Sequence, residues 1–251
     1  MCVSYGQLRH RKTVPVPGAP VFLDSRGFSE IKQHGRYTFD PLTYATFVRR
    51  LRSEWGDKLA HCSIMDWMCE AEMLVRTGLT IPDHQIRTVQ SYFDLTALAP
   101  ELPWVPVLQG FTLDDYHWCA DLYESRGVNL THLPLVGIGS VCRRQGMQEA
   151  AGIIKSLYAR GFRNLHGFGF KLTGLVSKGM RLARYLKSSD SMAWSLLARQ
   201  EWRHRRVNMC GDPNAHKGAC NNCLTWALMW RERLVSRVQA VTAGGTQELL
   251  F

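Results

Sequence analysis

One pattern limits the fold of this chain more than any other: short apolar runs of strand length alternate with longer stretches whose apolar residues recur every three to four positions. This is the pattern of βα units around a parallel sheet, each strand covered by the helix that follows it. The runs lie at residues 21–24, 61–66, 104–109, 133–138, 163–168 and 186–190, with a further short one at 2–5. The helical faces between them include Leu42, Ala45, Val48, Leu51 and Trp55, then Ile86, Val89, Phe93 and Leu98, then Ala150, Ile153, Ile154 and Leu157. Seven strands are counted in this way, and an eighth near Val207 would complete a ring. No GxGxxG phosphate turn follows any run, which favours a closed barrel over an open doubly wound sheet. The expectation is an α/β fold, a small TIM-type (β/α)8 barrel forming a single domain over residues 1–251, with a C-terminal zinc-binding segment at 204–238.

With 251 residues, 45% of them hydrophobic, the chain can bury one large core. No window approaches the roughly 18 to 20 uncharged apolar residues that span a bilayer, and the opening MCVSYGQLRHRK lacks the apolar stretch of a secretory signal. A soluble, cytoplasmic protein is expected. The balance of 31 Lys+Arg against 21 Asp+Glu gives a formal charge of +10, which favours an anionic partner such as nucleic acid. Half of that excess falls in residues 199–237, where Arg199, Arg203, Arg205, Arg206, Lys217, Arg231, Arg233 and Arg237 face only Glu201, Asp212 and Glu232. These cations are suited to phosphate contact. Trp202, Trp226 and Trp230 lie among them, and the spacing of Trp226 and Trp230 suits a helix core better than base stacking.

Five of the eight cysteines are scattered singly, whereas Cys210, Cys220 and Cys223 cluster beside His216. The spacing Cys-x5-His-x3-Cys-x2-Cys supplies three thiolates and an imidazole, a full tetrahedral set for zinc. A filled set leaves no place for a catalytic water, so the ion is expected to be structural; His204 competes for the fourth place. Asp24, Asp66 and Asp190 each end an apolar run, and in a parallel barrel such ends share one mouth. Crowded carboxylates push their pKa values apart, which suits one to attack as an anion and another to pass a proton. Gly110, Gly137, Gly139, Gly167 and Gly169 also fall at strand ends, where glycine lets a flat ligand approach the backbone or serves a tight turn. Gln109 offers one donor and one acceptor to a base edge.

These motifs in order resemble the tRNA-guanine transglycosylase superfamily: Leu-Asp-Ser-Arg-Gly-Phe at 23–28, Asp-Trp-Met-Cys-Glu at 66–70, Pro-Val-Leu-Gln-Gly at 106–110, Gly-Ile-Gly-Ser-Val-Cys-Arg-Arg at 137–144, His-Gly-Phe-Gly at 166–169, Ser-Asp-Ser-Met-Ala-Trp-Ser at 189–195, and the Cys/His cluster. The nearest likeness is to its short branch of deazapurine DNA-modification proteins from phages and bacteria, and it extends to about Arg233. The resemblance implies a barrel with structural zinc, and an enzyme that exchanges guanine for a 7-deazaguanine base such as the 7-cyano form, with DNA as polymer. It places Asp190 on the nucleophile and Asp24 on the proton shuttle. Asp66, Gln109 and Gly139 fall on base-recognition positions, with Gly110 and Gly137 beside them. Two departures stand out. Arg26 replaces a glycine of the family motif and is expected to bring a bulky cation to the mouth, and His216 precedes the CxxC pair instead of following it, which argues for the DNA branch. Three alternatives stay open: tRNA as the polymer, hydrolytic removal of a base, and a non-catalytic zinc-stabilised nucleic-acid-binding protein, to which three carboxylates at the mouth would bring nothing.

Overall fold

A computed structural model describes residues 1–141, 148–170, 175, 182–212, 214 and 216–242. Cys142, Arg143, Arg144 and the tail beyond residue 242 lie outside the described residues. Among the described residues, eight short strands run in chain order: β1 Cys2–Ser4, β2 Val21–Asp24, β3 Leu59–Ser63, β4 Trp104–Val105, β5 Val107–Leu108, β6 Val136–Ile138, β7 Leu165–Gly167 and β8 Ser188–Ser189. They form two four-stranded sheets, β1-β2-β3-β4 and β5-β6-β7-β8, with every neighbouring pair parallel. Sequence order equals spatial order, as successive βα units require.

All seven expected runs contain strand, but the eighth does not come from Val207. That residue is exposed in an irregular segment after the helix Ala193–Arg205. The extra strand arises because the run 104–109 is divided at Pro106, which has no N–H to give to a ladder. The pairing nonetheless passes through: Ile64 N donates to Val105 O at 3.4 Å on one side, and Gly137 N donates to Pro106 O at 2.8 Å on the other. Residues 104–108 thus join both sheets, leaving β1 and β8 as the ends of the order among the described residues. Side chains of the two sheets meet inside: Phe22 of β2 lies face to face with His166 of β7, centroids 4.8 Å apart and 14° from parallel. Phe22 also packs with Val105, Leu135, Cys2 and Phe168.

Helices cover the outside, and their starts are set by side-chain caps. Asp40 Oδ1 accepts from Thr43 N at 2.7 Å ahead of the helix Pro41–Trp55. Capping boxes Thr80/Asp83 and Thr112/Asp115 open the helices Ile81–Leu98 and Leu113–Glu124. The inward face of the first helix is Tyr44, Ala45, Val48, Leu51 and Trp55; Leu42, expected inside, is exposed, as is Ile86 on the second. Leu42 sits in the opening turn of its helix, whereas Ile86 lies on the outward face of a helix whose covered face is His84, Gln85, Thr88, Val89 and Leu95. Ala150, Ile153, Ile154 and Leu157 are buried as their spacing predicts.

Gly137 in β6 leaves the room that the Phe168 ring fills, since a Cβ there would overlap that ring and lie 3.3 Å from Val107 Cγ2. Gly137→Ala should therefore destabilise the protein by about 1–3 kcal/mol through overpacking, read as a melting temperature lower by roughly 2–12 °C. An unchanged melting temperature would show that the ring can move aside freely.

Candidate active site

The residues that follow the strands arrive at one end of the parallel sheets. Asp24 is the last residue of β2, Asp66 follows β3, Gln109 follows β5, Gly139 and Ser140 follow β6, Gly169 follows β7 and Asp190 follows β8. Direct bonds tie several of them together. Gln109 Nε2 donates to Asp66 Oδ2 at 2.6 Å, and both side chains are buried. Ser140 Oγ lies 2.7 Å from Gln109 Oε1 and 2.9 Å from Glu70 Oε2, and accepts the Cys69 N–H at 2.7 Å. On the far side of Asp66, Ser25 Oγ donates to Oδ1 at 3.5 Å, and Tyr37 Oη donates to the Asp66 carbonyl at 2.9 Å.

The acids share an electrostatic environment. Burial, reinforced by the neighbouring Asp24 charge, raises the Asp66 carboxyl to about 7 against the opposing Gln109 hydrogen bond. Asp24 is raised to about 6, first by burial and then by repulsion from Asp190, while the Arg26 N–H, 3.0 Å from Oδ2, opposes the shift. The three carboxylates picked out in the sequence therefore do come within electrostatic reach, with Asp24 coupled to both others. Asp190 Oδ1 accepts from Gly169 N at 2.9 Å and lies 3.4 Å from His166 Nε2.

At the glycines, the space a Cβ would take is held by the protein's own side chains. Gly139 accommodates the Gln109 amide, Gly137 the Phe168 ring and Gly110 the Asp115 Cβ and Tyr116. Gly139 thus serves the same corner as Gln109, and its carbonyl is fixed by Tyr116 Oη at 2.7 Å. Arg26, expected to bring a cation to the mouth, has its guanidinium engaged by a carboxylate. Its backbone takes the left-handed conformation that glycine favours, φ 71°, and its Nε lies 3.3 Å from the buried Glu30 Oε1. The attraction of a buried carboxylate, also 3.5 Å from Arg9, draws the guanidinium onto the following helix. Ser25, Tyr37, Glu70, Ser140 and His166 were not singled out from sequence. Four of them lie inside the quoted motifs; Tyr37 has no motif around it and is found only through its bond to Asp66 O.

A second cluster lies near the C-terminus. The ligand atoms of Cys210, His216, Cys220 and Cys223 all fall within 4.8 Å of one another. Cys210 Sγ and Cys220 Sγ are 3.5 Å apart, and His216 Nε2 is 3.2 Å from Cys220 Sγ and 3.7 Å from Cys210 Sγ. Metal–sulfur bonds of about 2.3 Å in a tetrahedron give edges of about 3.8 Å, so the four can hold a metal ion with little movement. His204 is exposed and outside the set. Trp226 is buried against this cluster, as its helical spacing predicts, and all eight Lys and Arg side chains of residues 199–237 are exposed.

No helix among the described residues is long and apolar enough to cross a membrane. No curated protein matches the chain. A family model described as DpdA, DeoxyPurine in DNA protein A, matches residues 1–248. With nearly its whole length matched, the chain belongs to the DpdA family, a DNA-guanine transglycosylase-like family of the deazapurine DNA-modification branch.

Proposed function

We propose that the protein exchanges guanine in DNA for a 7-deazaguanine base, such as the 7-cyano form, through a covalent glycosyl-enzyme at Asp190. The observation that carries this reading is the convergence of Asp24, Asp66 and Asp190 at one end of the sheets, with Gln109 bonded to Asp66. A protein that only gripped an anion would gain nothing from carboxylates at its binding face. Membership of a DNA-modifying family supports DNA as the polymer. The exposed cations of residues 199–237 suit its phosphates.

The chemistry follows from the side chains. The Asp190 carboxylate attacks C1′ of the sugar as the bond to guanine breaks, as in retaining glycoside chemistry. Asp24, raised to about 6, is poised near neutral pH to protonate the departing base and to take the proton of the incoming one. The incoming base attacks C1′ and releases Asp190; two inversions restore the β-configuration. Asp66 and Gln109 read the base, the carboxylate accepting from the N1–H and amino group of guanine. C1′ is shielded while the base is stacked, so the target nucleotide is flipped out or single-stranded. Cys210, His216, Cys220 and Cys223 would hold zinc, which supplies a structural link and no reacting group.

Three outcomes test this reading. Wild-type protein should transfer label from a radiolabelled 7-deazaguanine into DNA, and Asp190→Asn should lose at least about a thousandfold in rate because an amide cannot attack C1′. Transfer into tRNA alone would reassign the polymer.

Base binding should depend on pH with a definite sign. The Asp66 carboxyl sits at about 7 in the folded protein and two donors of the base need its ionised form. Affinity for guanine should therefore rise about tenfold from pH 6 to pH 8, with proton release on binding. Titration calorimetry in buffers of different ionisation heat reads both, and Asp66→Asn should abolish the pH dependence.

Purified protein should carry one zinc per chain. Cys220→Ser should lower metal content several-fold and the melting temperature with it, and elemental analysis finding folded, active protein free of metal would exclude the site.

A further inference from the structure

His166 has a buried, unpartnered nitrogen beside the proposed nucleophile. Its ring is fully buried in β7, and Nε2 has no hydrogen-bond partner by ordinary geometry. The ring cannot easily turn away, because it lies face to face with Phe22 at 4.8 Å and takes the edge of Phe168 at 4.8 Å, 76° between planes. Its other nitrogen, Nδ1, is 2.8 Å from Ser188 Oγ on β8. When that hydroxyl donates to Nδ1, the ring proton resides on Nε2. Nε2 lies 3.4 Å from Asp190 Oδ1, just outside hydrogen-bond geometry, so a small shift would close the contact, and the Gly169 N–H donates to the same oxygen at 2.9 Å. Among the described residues, both contacts to the carboxylate go to Oδ1 and none to Oδ2.

We propose that His166 is the positioning residue of the nucleophile, its Nε2–H and the Gly169 N–H together holding Asp190 Oδ1 so that Oδ2 is the atom presented to C1′. The inference rests on the transglycosylase reading of Asp190 and deepens it. In the first step an Oδ2 electron pair forms the bond to C1′ while the C1′–N9 pair leaves with guanine, which takes a proton from Asp24; Oδ1 becomes the carbonyl oxygen of a glycosyl ester. In the second step a ring nitrogen of the incoming base, giving its proton to Asp24, bonds to C1′ and the C1′–Oδ2 pair returns to the carboxylate. Negative charge then grows again on Oδ1, against two N–H groups already in place. Their greater share falls on this second step, since hydrogen bonds to the carboxylate make it a better leaving group.

The test compares His166→Phe, His166→Gln and Asp190→Asn in the full-length protein, with labelled base and DNA as substrates. Phenylalanine keeps the ring and its stacking on Phe22 but has no N–H; glutamine can reach toward Oδ1 with an amide N–H. His166→Phe should lower kcat about 10- to 100-fold, the loss of a hydrogen bond to a charged group, while KM for DNA and base stays within about threefold and the melting temperature holds. The covalent protein–DNA adduct, trapped by denaturation, should accumulate in this variant beyond its wild-type level. His166→Gln should recover part of the rate. Wild-type turnover by His166→Phe beside an inactive Asp190→Asn would overturn this inference and leave the transglycosylase reading intact, as would equal loss in the Phe and Gln variants. Undiminished exchange by Asp190→Asn would instead remove the nucleophile itself.

Discussion

Parallel strands deliver their C-terminal ends to one side of a sheet, so the acids at or just past the ends of β2, β3 and β8 share that side. Like charges repel by roughly 4 kcal/mol at 4 Å in an effective dielectric of about 20, and partial burial adds to this. The chain keeps the arrangement and manages it with protons and donors. Asp24 and Asp66 are raised to about 6 and 7, so each carries a proton for part of the time near neutrality. Asp190 instead receives the Gly169 N–H. The environment thus sets Asp24 and Asp66 apart as carboxyls suited to passing or sharing a proton.

The Asp66–Gln109 bond also ties the two sheets together at this end, because Asp66 follows β3 and Gln109 follows β5. Support comes from behind: Gln85 Nε2 is 2.6 Å from Gln109 O and 2.7 Å from Asp115 O, which anchors the loop from the helix side. Ser140 holds the other end of the Gln109 amide from a left-handed backbone, φ 55°, a conformation that costs a non-glycine residue about 1 kcal/mol or more. Backbone strain and a buried polar network at the same corner are expected where a ligand is to be read by fixed donors and acceptors.

Much of this was legible in the sequence because it is local. Strand runs, strand-end acids and the Cys/His spacing are patterns within a few residues, and the structure places them where those patterns predict. The division at Pro106 has a local cause too, the missing N–H, yet the ladder crosses it because its carbonyl still accepts from Gly137. What could not be read depends on distant partners. Glu30 engages Arg26 only because the helix 27–34 brings it alongside, and Arg9 and Thr38 contact the same carboxylate. Glu70 and Ser140 meet across 70 residues, and His166 is a buried core histidine until Asp190 is found beside it. Leu42 and Ile86 fit the helical period, but Leu42 falls in an opening turn and Ile86 on the outward face of a helix that covers His84, Gln85 and Thr88 instead.

The Cys/His cluster and the proposed nucleophile Asp190 are connected through one helix. Asp190 directly follows β8, and the helix Ala193–Arg205 begins three residues later. That helix carries Ala198, buried against Cys210, Cys220 and Trp226, and its Trp194 carbonyl accepts from Trp226 Nε1 at 2.9 Å. The cluster thus anchors the helix 193–205 to the helix 224–242 directly downstream of the strand that presents Asp190. Apolar packing here is small, with four buried members among the described residues, so four ligands on one ion would contribute a large share of local stability. The same two helices carry most of the exposed cations of residues 199–237. A metal at this place would therefore fix both the backbone that follows the nucleophile and the cationic surface suited to the DNA backbone, without touching either reacting partner.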